Sequence, residues 1–303
     1  MREAQNAGSR CTEELVARQL PNGGWPFART SSQAVVESTA LALLALPPDS
    51  AQQRGAAIHF LLGIQNPNGS WPAFAGDDVK GSGFSGLAFF VLRRCGIEGE
   101  TINRATRWLL NSRGQESHWL WKWKFRLLDR HVRFDPSKFG WSWMPDTVSW
   151  VVPTSYSLLA LKSSNQPSRQ TRLRIRRGVE MLYDRICPEG GWNAGNGVVY
   201  GSPMVPHPDT TAIALLALQG EPASEPISTS LDWLERRAEA CFAPWSLVWA
   251  ILALNAYRRA VPHLIEQLGV MAEPGGIDDC ATLAVTAIAL GCADGLNPFE
   301  AHP

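Results

Sequence analysis

The sequence predicts an all-α protein, a closed double ring of six inner and six outer helices carrying one small inserted β-hairpin. Two observations predict the ring. A block rich in Ala and Leu recurs six times, and amphipathic segments alternate with it. A third observation, an alternating aromatic and basic run, predicts the hairpin.

The recurring blocks are STALALLAL (Ser38 to Leu46), SGLAFFVL (Ser85 to Leu92), TSYSLLAL (Thr154 to Leu161) and TTAIALLAL (Thr210 to Leu218). Two looser copies follow, WSLVWAILAL (Trp245 to Leu254) and ATLAVTAIAL (Ala281 to Leu290). Each is apolar on every face, so each reads as a helix with neighbours all round. Arg54 to Gln65, Thr101 to Ser112, Arg172 to Asp184 and Ser230 to Ala240 carry charge on one side and apolar residues at helical spacing. They read as outer helices. An inner helix without a wet face needs partners on both flanks, and closing the ring supplies them. No boundary divides the chain, so residues 1–303 read as one domain with an insertion at 115–147 in the third repeat.

Within that insertion, WLWKWKFRLLDRHVRFD puts Trp119, Trp121, Trp123 and Phe125 on alternate positions with Lys122, Lys124 and Arg126 between them. Period two predicts a strand, and His131 to Asp135 supplies a second one, giving a hairpin with an aromatic face and a basic face.

Composition narrows the function. Of 303 residues 45% are apolar, enough for a sizeable core, and 28 basic residues balance 28 acidic ones, which excludes nucleic acid as the expected partner. The chain has 13 Trp but only 4 Tyr, and any function must account for those indoles. Six scattered cysteines never form a C-x-x-C pair, so reduced thiols are expected. No run approaches the ~20 apolar residues of a membrane span. The expectation is a cytoplasmic protein that can touch a membrane surface.

A second repeat, Gln-x3-Gly-x-Trp, falls at the junctions between outer and inner helices: Gln19, Gly23, Trp25, then Gln65, Gly69, Trp71. A third copy keeps Gly190 and Trp192 with Ile186 in the Gln position. Gly permits the chain to reverse after the outer helix, and the Gln amide can stack on the indole and tie off terminal backbone groups. This pattern resembles the QW repeat of the terpene cyclase and protein prenyltransferase superfamily, best known from squalene-hopene cyclase, over about Glu14 to Leu290. The resemblance implies an α/α toroid whose central cavity holds an isoprenoid or other hydrophobic small molecule.

Class II cyclases of that superfamily protonate a terminal alkene or epoxide with the middle acid of D-x-D-D-T-A. In this chain Pro206-His207-Pro208-Asp209-Thr210-Thr211-Ala212 stands at the corresponding place, with only the middle acid kept. The resemblance therefore implies Asp209 as the proton donor. His207 is its expected orienting partner, and Thr210 and Thr211 are hydroxyl donors to it. The competing reading of Asp209 is a helix N-cap, with Glu37 at the matching place in the first repeat. Trp121, Trp141, Trp143, Asp146, Trp150, Thr154 and Thr211 are the expected substrate-binding wall, because each indole face offers ~1 to 2 kcal/mol to a desolvated carbocation.

Two other readings stay open: a non-catalytic prenyl-lipid-binding toroid, and a protein prenyltransferase β-like subunit. The latter would hold zinc through an Asp-x-Cys pair and a distant histidine, which Asp278-Asp279-Cys280 and His302 could offer. Asp77-Asp78 could hold magnesium and a diphosphate but reads as a solvated turn. The leading reading assigns no metal and no cofactor. The basic helix bearing Arg169, Arg172, Arg174, Arg176 and Arg177 reads as a solvated outer face; with the hairpin lysines it also suits an anionic membrane surface. A second copy or partner subunit would complete the cavity.

Overall fold

Six helices too apolar to meet water on any side form the inner ring: α2 (Val36–Ala45), α4 (Ser85–Arg94), α7 (Val151–Lys162), α9 (Pro208–Leu218), α11 (Pro244–Ala256) and α13 (Cys280–Gly291). They are seen in a computed structural model that describes residues 2–77, 81–127, 134–164, 166–273 and 275–301. Each packs on the next, and α13 returns to α2, so the ring closes. Every residue of α9 from Thr210 to Leu218 is buried, as is α11 from Leu247 to Leu254.

The outer ring is α1 (Arg2–Ala17), α3 (Ala51–Gly63), α5 (Glu100–Asn111), α8 (Arg169–Asp184), α10 (Glu225–Glu239) and α12 (Pro262–Met271). All six predicted blocks are inner helices, and the four predicted amphipathic segments are outer ones. Helix α1 packs on α12 and α13, so the two ends of the chain meet at one seam. Pro208, Pro226, Pro244 and Pro262 stand in the first turns of α9 to α12, where a missing N–H costs no helical bond. The six cysteines are free.

The predicted hairpin is not a hairpin. Trp119 to Leu127 forms α6 (Trp119–Leu127), and His131 to Arg133 lie outside the described residues. An alternating run becomes a strand only when a neighbouring strand takes its backbone groups, and none of the described residues does so here. Trp, Lys, Leu and Arg all tolerate a helix, which satisfies its own backbone. The short strands lie in the repeat junctions instead: β1 (Trp25–Pro26) with β2 (Ala34–Val35), and β3 (Val198–Val199) with β4 (Ser202–Pro203).

The basic face of α8 is also less solvated than expected. Arg174 is buried, stacks 3.3 Å from the Trp141 ring centre and donates to the carbonyls of Ser112, Phe139 and Gly140. It clamps the insertion to the outer ring. Glu116 anchors the same segment from within, its buried carboxylate accepting from the Ser149 N–H.

Connections from outer to inner helices all emerge at one end of the ring, the mouth. At the other end the last described residues pack on the inner helices beside a cavity of about 360 Å³ lined by Phe90, Leu159, Leu216 and Phe299. Phe299 is buried against Phe90 and Trp249. Gln219 and Asn297 tie the segment to the inner helices through Phe299 O (2.8 Å) and Leu252 O (2.9 Å).

Candidate functional site

The mouth is built by one device used four times. The backbone N–H of Trp25, Trp71, Trp141 and Trp192 donates to a hydroxyl on the following inner helix, from Thr39, Ser85, Thr154 and Thr211 respectively, each at 2.9 Å. The indole N–H of each donates back to the preceding outer helix, at Leu15 O, Leu61 O, Leu109 O and Leu182 O, over 2.6 to 2.9 Å. A buried N–H left unpaired would cost about 1 to 3 kcal/mol, so each tryptophan latches an outer helix to its inner partner. Gln19 and Gln65 complete the first two junctions. Each amide donates to the Gly carbonyl of its own motif and to a carbonyl of the next outer helix, Gln53 O and Thr101 O. Gly69 has φ +95°, and a Cβ there would lie 2.3 Å from Arg104 O, so no other residue fits the reversal.

Three residues expected in the substrate wall therefore have another task. Trp141, Thr154 and Thr211 are buried junction residues with their polar atoms engaged in the latch. Trp141 escaped recognition as a repeat residue because the insertion separates it from its outer helix. Its bond to Leu109 spans 32 residues, where the other three span 10. The Gly140-Trp141 pair, 13 residues before Thr154, carried the signal.

The remaining expected residues scatter. Trp143 is half-buried, packs edge-on against Phe84 at 5.2 Å and accepts from Gly83 N–H, joining the second and third repeats. Trp150 precedes α7 and lies beside Gly195 of the next repeat. Asp146 is exposed at a left-handed turn (φ 64°) and lines a cavity of about 370 Å³ with Trp108, Arg113 and Trp141. Trp121 sits on α6, with the Lys124 ammonium 4.4 Å from its ring centre. His207 does not orient Asp209. Its imidazole is exposed, its backbone N–H bonds Trp192 O, and no hydrogen bond among the described residues joins it to the acid. Nor does Thr211 serve Asp209, since its hydroxyl donates to Trp192 O.

Asp209 is joined by an acid that sequence reasoning left as a helix cap. Glu37, Asp209 and Trp245 each hold the second position of an inner helix. Neither acid caps its helix through its side chain. Glu37 keeps some surface at the mouth, yet protein surrounds it closely enough that burial pushes its carboxyl up to about 7, and nearby Asp279 pushes in the same direction. Asp279 itself caps α13 by accepting from Thr282 N–H at 2.7 Å. One turn deeper stand Tyr156 and Trp249, ring centres 6.4 Å apart, with Trp245 5.7 Å from Trp249. The Tyr156 hydroxyl and the Trp249 indole N–H are buried with no hydrogen-bond partner among the described residues. Burial, with the charges of Glu37 and Asp209, holds the Tyr156 proton well above the ordinary phenol range. The mouth thus offers two acids over an aromatic floor. The signal for Glu37 was Glu37-Ser38-Thr39-Ala40, which matches Asp209-Thr210-Thr211-Ala212 in acid, hydroxyls and alanine.

The expected zinc ligands meet a cation already in place. Arg18 donates to Asp278 O (2.6 Å) and Ile277 O (2.8 Å), and its guanidinium approaches the buried Cys280 Sγ at 3.9 Å. Burial pushes that thiol up, away from the thiolate a metal needs. His302 and Asp78 lie outside the described residues.

Solved structures share this architecture. A protein from Actinoplanes superposes with TM-score 0.66 at 17% identity, covering 96% of this chain and 99% of that one. The type II terpene cyclase MstE from Scytonema gives TM-score 0.62 at 13% identity, covering 98% and 100%. The chain has the terpene cyclase-like α/α toroid fold. The GH76A α-1,6-mannanase of Salegentibacter sp. HEL1_6 has it too, with TM-score 0.60 at 11% identity over 97% and 99% of the two chains. No protein-family model matches the sequence, and no curated protein matches it. Identities this low carry the fold alone.

Proposed function

We propose that this toroid is an isoprenoid cyclase or isomerase that starts its reaction by protonation, with Glu37 as the donor. The observation that carries the reading is a carboxyl poised near pH 7 over Tyr156, Trp245 and Trp249. A carboxyl that keeps its proton near neutrality is a general acid ready for use. Glu37 transfers that proton to the terminal alkene or epoxide of an isoprenoid lying on the aromatic floor. The resulting cation is attacked by the next double bond of the same chain, and the charge passes over indole and phenol faces that favour it. Loss of a proton to Asp209 ends the sequence. Tyr156, near both acids, connects them for return of the proton to Glu37. Asp209 thereby changes from the expected donor to the acceptor.

A second reading, glycoside hydrolysis, is favoured by one observation: two carboxyls share the mouth, as acid and base do in glycosidases. The GH76A neighbour was captured with α-1,6-mannotriose, which makes that sugar the natural comparison substrate.

The test is incubation of the purified protein with squalene, oxidosqualene, geranylgeranyl diphosphate and α-1,6-mannotriose, followed by mass spectrometry. A cyclised or isomerised product of unchanged mass, lost in Glu37→Gln, supports the proposal. Cleaved mannotriose supports the second reading. Isoprenoid recovered bound but unaltered identifies a lipid-binding toroid and removes the catalytic role.

A further inference from the structure

The cavity of about 360 Å³ at the end of the ring away from the mouth joins two chemistries. Phe90 of α4, Leu159 of α7, Leu216 of α9 and Phe299 give it an apolar floor, while Arg93 and Arg94 from the last turn of α4 and Lys162 from the last turn of α7 add positive charge. No acid lines it among the described residues. Two of the three cations are already engaged by acids. Arg93 pairs with Glu98 at 3.0 Å, and Lys162 pairs with Glu221 at 2.7 Å while donating to the carbonyls of Ala217 and Gln219.

Arg94 is different. One terminal nitrogen donates to Glu300 O at 2.6 Å, and the guanidinium carbon stands 5.3 Å from the Phe90 ring centre. Its Nε is buried with no hydrogen-bond partner among the described residues, and its other terminal nitrogen is unbonded and open. Burial pushes the Arg94 pKa down from the ordinary guanidinium value, and no neighbouring acid offsets that effect. A guanidinium keeps its charge even so, and a charge held beside apolar side chains is costly until an anion meets it.

We propose that this cavity is a binding site for a small amphipathic carboxylate, its head on Arg94 and its tail on Phe90, Leu159, Leu216 and Phe299. A planar guanidinium suits a carboxylate head. A phosphate or diphosphate would call for several unengaged cations, and only Arg94 is left, so a singly charged head fits. At the ~30 Å³ that a water takes in the liquid, the cavity has room for about a dozen non-hydrogen atoms, the span of a carboxylate with roughly eight to ten carbons. The site does not depend on the Glu37 chemistry: Glu37 stands in the first turn of α2 at the mouth, and Arg94 is the last residue of α4.

The experiment is calorimetric titration of the full chain with octanoate, 1-octanol and acetate. Octanoate is expected to bind at least about tenfold more tightly than the alcohol, which lacks the charge, or acetate, which lacks the tail. Arg94→Gln should weaken octanoate about ten- to a hundredfold and leave 1-octanol unchanged. Leu159→Phe, which fills the floor with Arg94 intact, should weaken both, and it keeps the test open if loss of the Glu300 bond unfolds the first variant. Thermal melts confirm which variants are folded. Octanoate carrying a diazirine, cross-linked and mapped by peptide mass spectrometry, should label the ends of α4, α7 or α9 or residues 297–301. Glu37→Gln should bind octanoate like wild type, so failure of this site and failure of the proton donor are read separately. Absence of octanoate binding overturns the proposal, as does equal binding of octanoate and 1-octanol. Cross-links confined to the mouth, or a folded Arg94→Gln that binds octanoate like wild type, would overturn it too.

Discussion

Glu37→Gln should make the protein more stable at high pH and leave it unchanged at low pH. The carboxyl moves from the usual 4.5 to about 7 on folding. Each unit is worth about 1.4 kcal/mol, so holding the ionised group costs about 3 kcal/mol, which water at the mouth trims to about 2 to 3 kcal/mol. Below pH 4.5 the group is protonated in both folded and unfolded chains and stability is intact. As pH rises toward 7 the unfolded chain releases its proton while the folded chain retains it, and stability falls. Above 7 the loss is complete. Glutamine cannot ionise, so its advantage should grow from nil at pH 4 to about 2 to 3 kcal/mol at pH 8. Urea denaturation of both proteins at pH 4, 6 and 8, with unchanged m-values, measures it. An advantage independent of pH, or none at pH 8, would refute the assignment of a buried, unsupported acid.

Other perturbations test neighbouring parts of the account. Asp279→Asn keeps the α13 cap, since Asn also accepts from Thr282 N–H, but removes a charge beside Glu37; the Glu37 titration should move to lower pH in carboxyl infrared spectra. Gly69→Ala should cost at least about 2 kcal/mol in urea melts, because φ +95° and the Arg104 carbonyl both oppose a Cβ. Phe299→Ala should cost about 3 to 5 kcal/mol by leaving a void between Phe90 and Trp249. Thr154→Val should cost about 1 to 3 kcal/mol by orphaning the Trp141 N–H; the folded fraction should keep its turnover, because Thr154 serves the junction.

The ring was readable because its physics is local. A helix apolar on all sides can only be an inner one, and the six Ala-Leu blocks state that residue by residue. The Gln-x3-Gly-x-Trp junctions were equally plain at Trp25 and Trp71, where latch and helix are ten residues apart. Trp141 performs the same task across a gap of 32 residues, and so read as a substrate wall. The run from Trp119 kept a strand's period but found no strand to pair with, and helix formation decided its shape. The acid of the site was hidden for a different reason. Nothing in Val35-Val36-Glu37 tells how deeply protein will surround the carboxyl or that Asp279, 242 residues away, will face it. Asp209 drew notice through a motif, whereas Glu37 acquires its character only from the closed ring.

The most direct measurement is infrared titration of the protonated carboxyl band in wild type and Glu37→Gln between pH 4 and 9. The account predicts one band, absent from the variant, that disappears with a midpoint near 7 in the wild type. A wild-type spectrum that shows no Glu37-dependent band above pH 5.5 would contradict it.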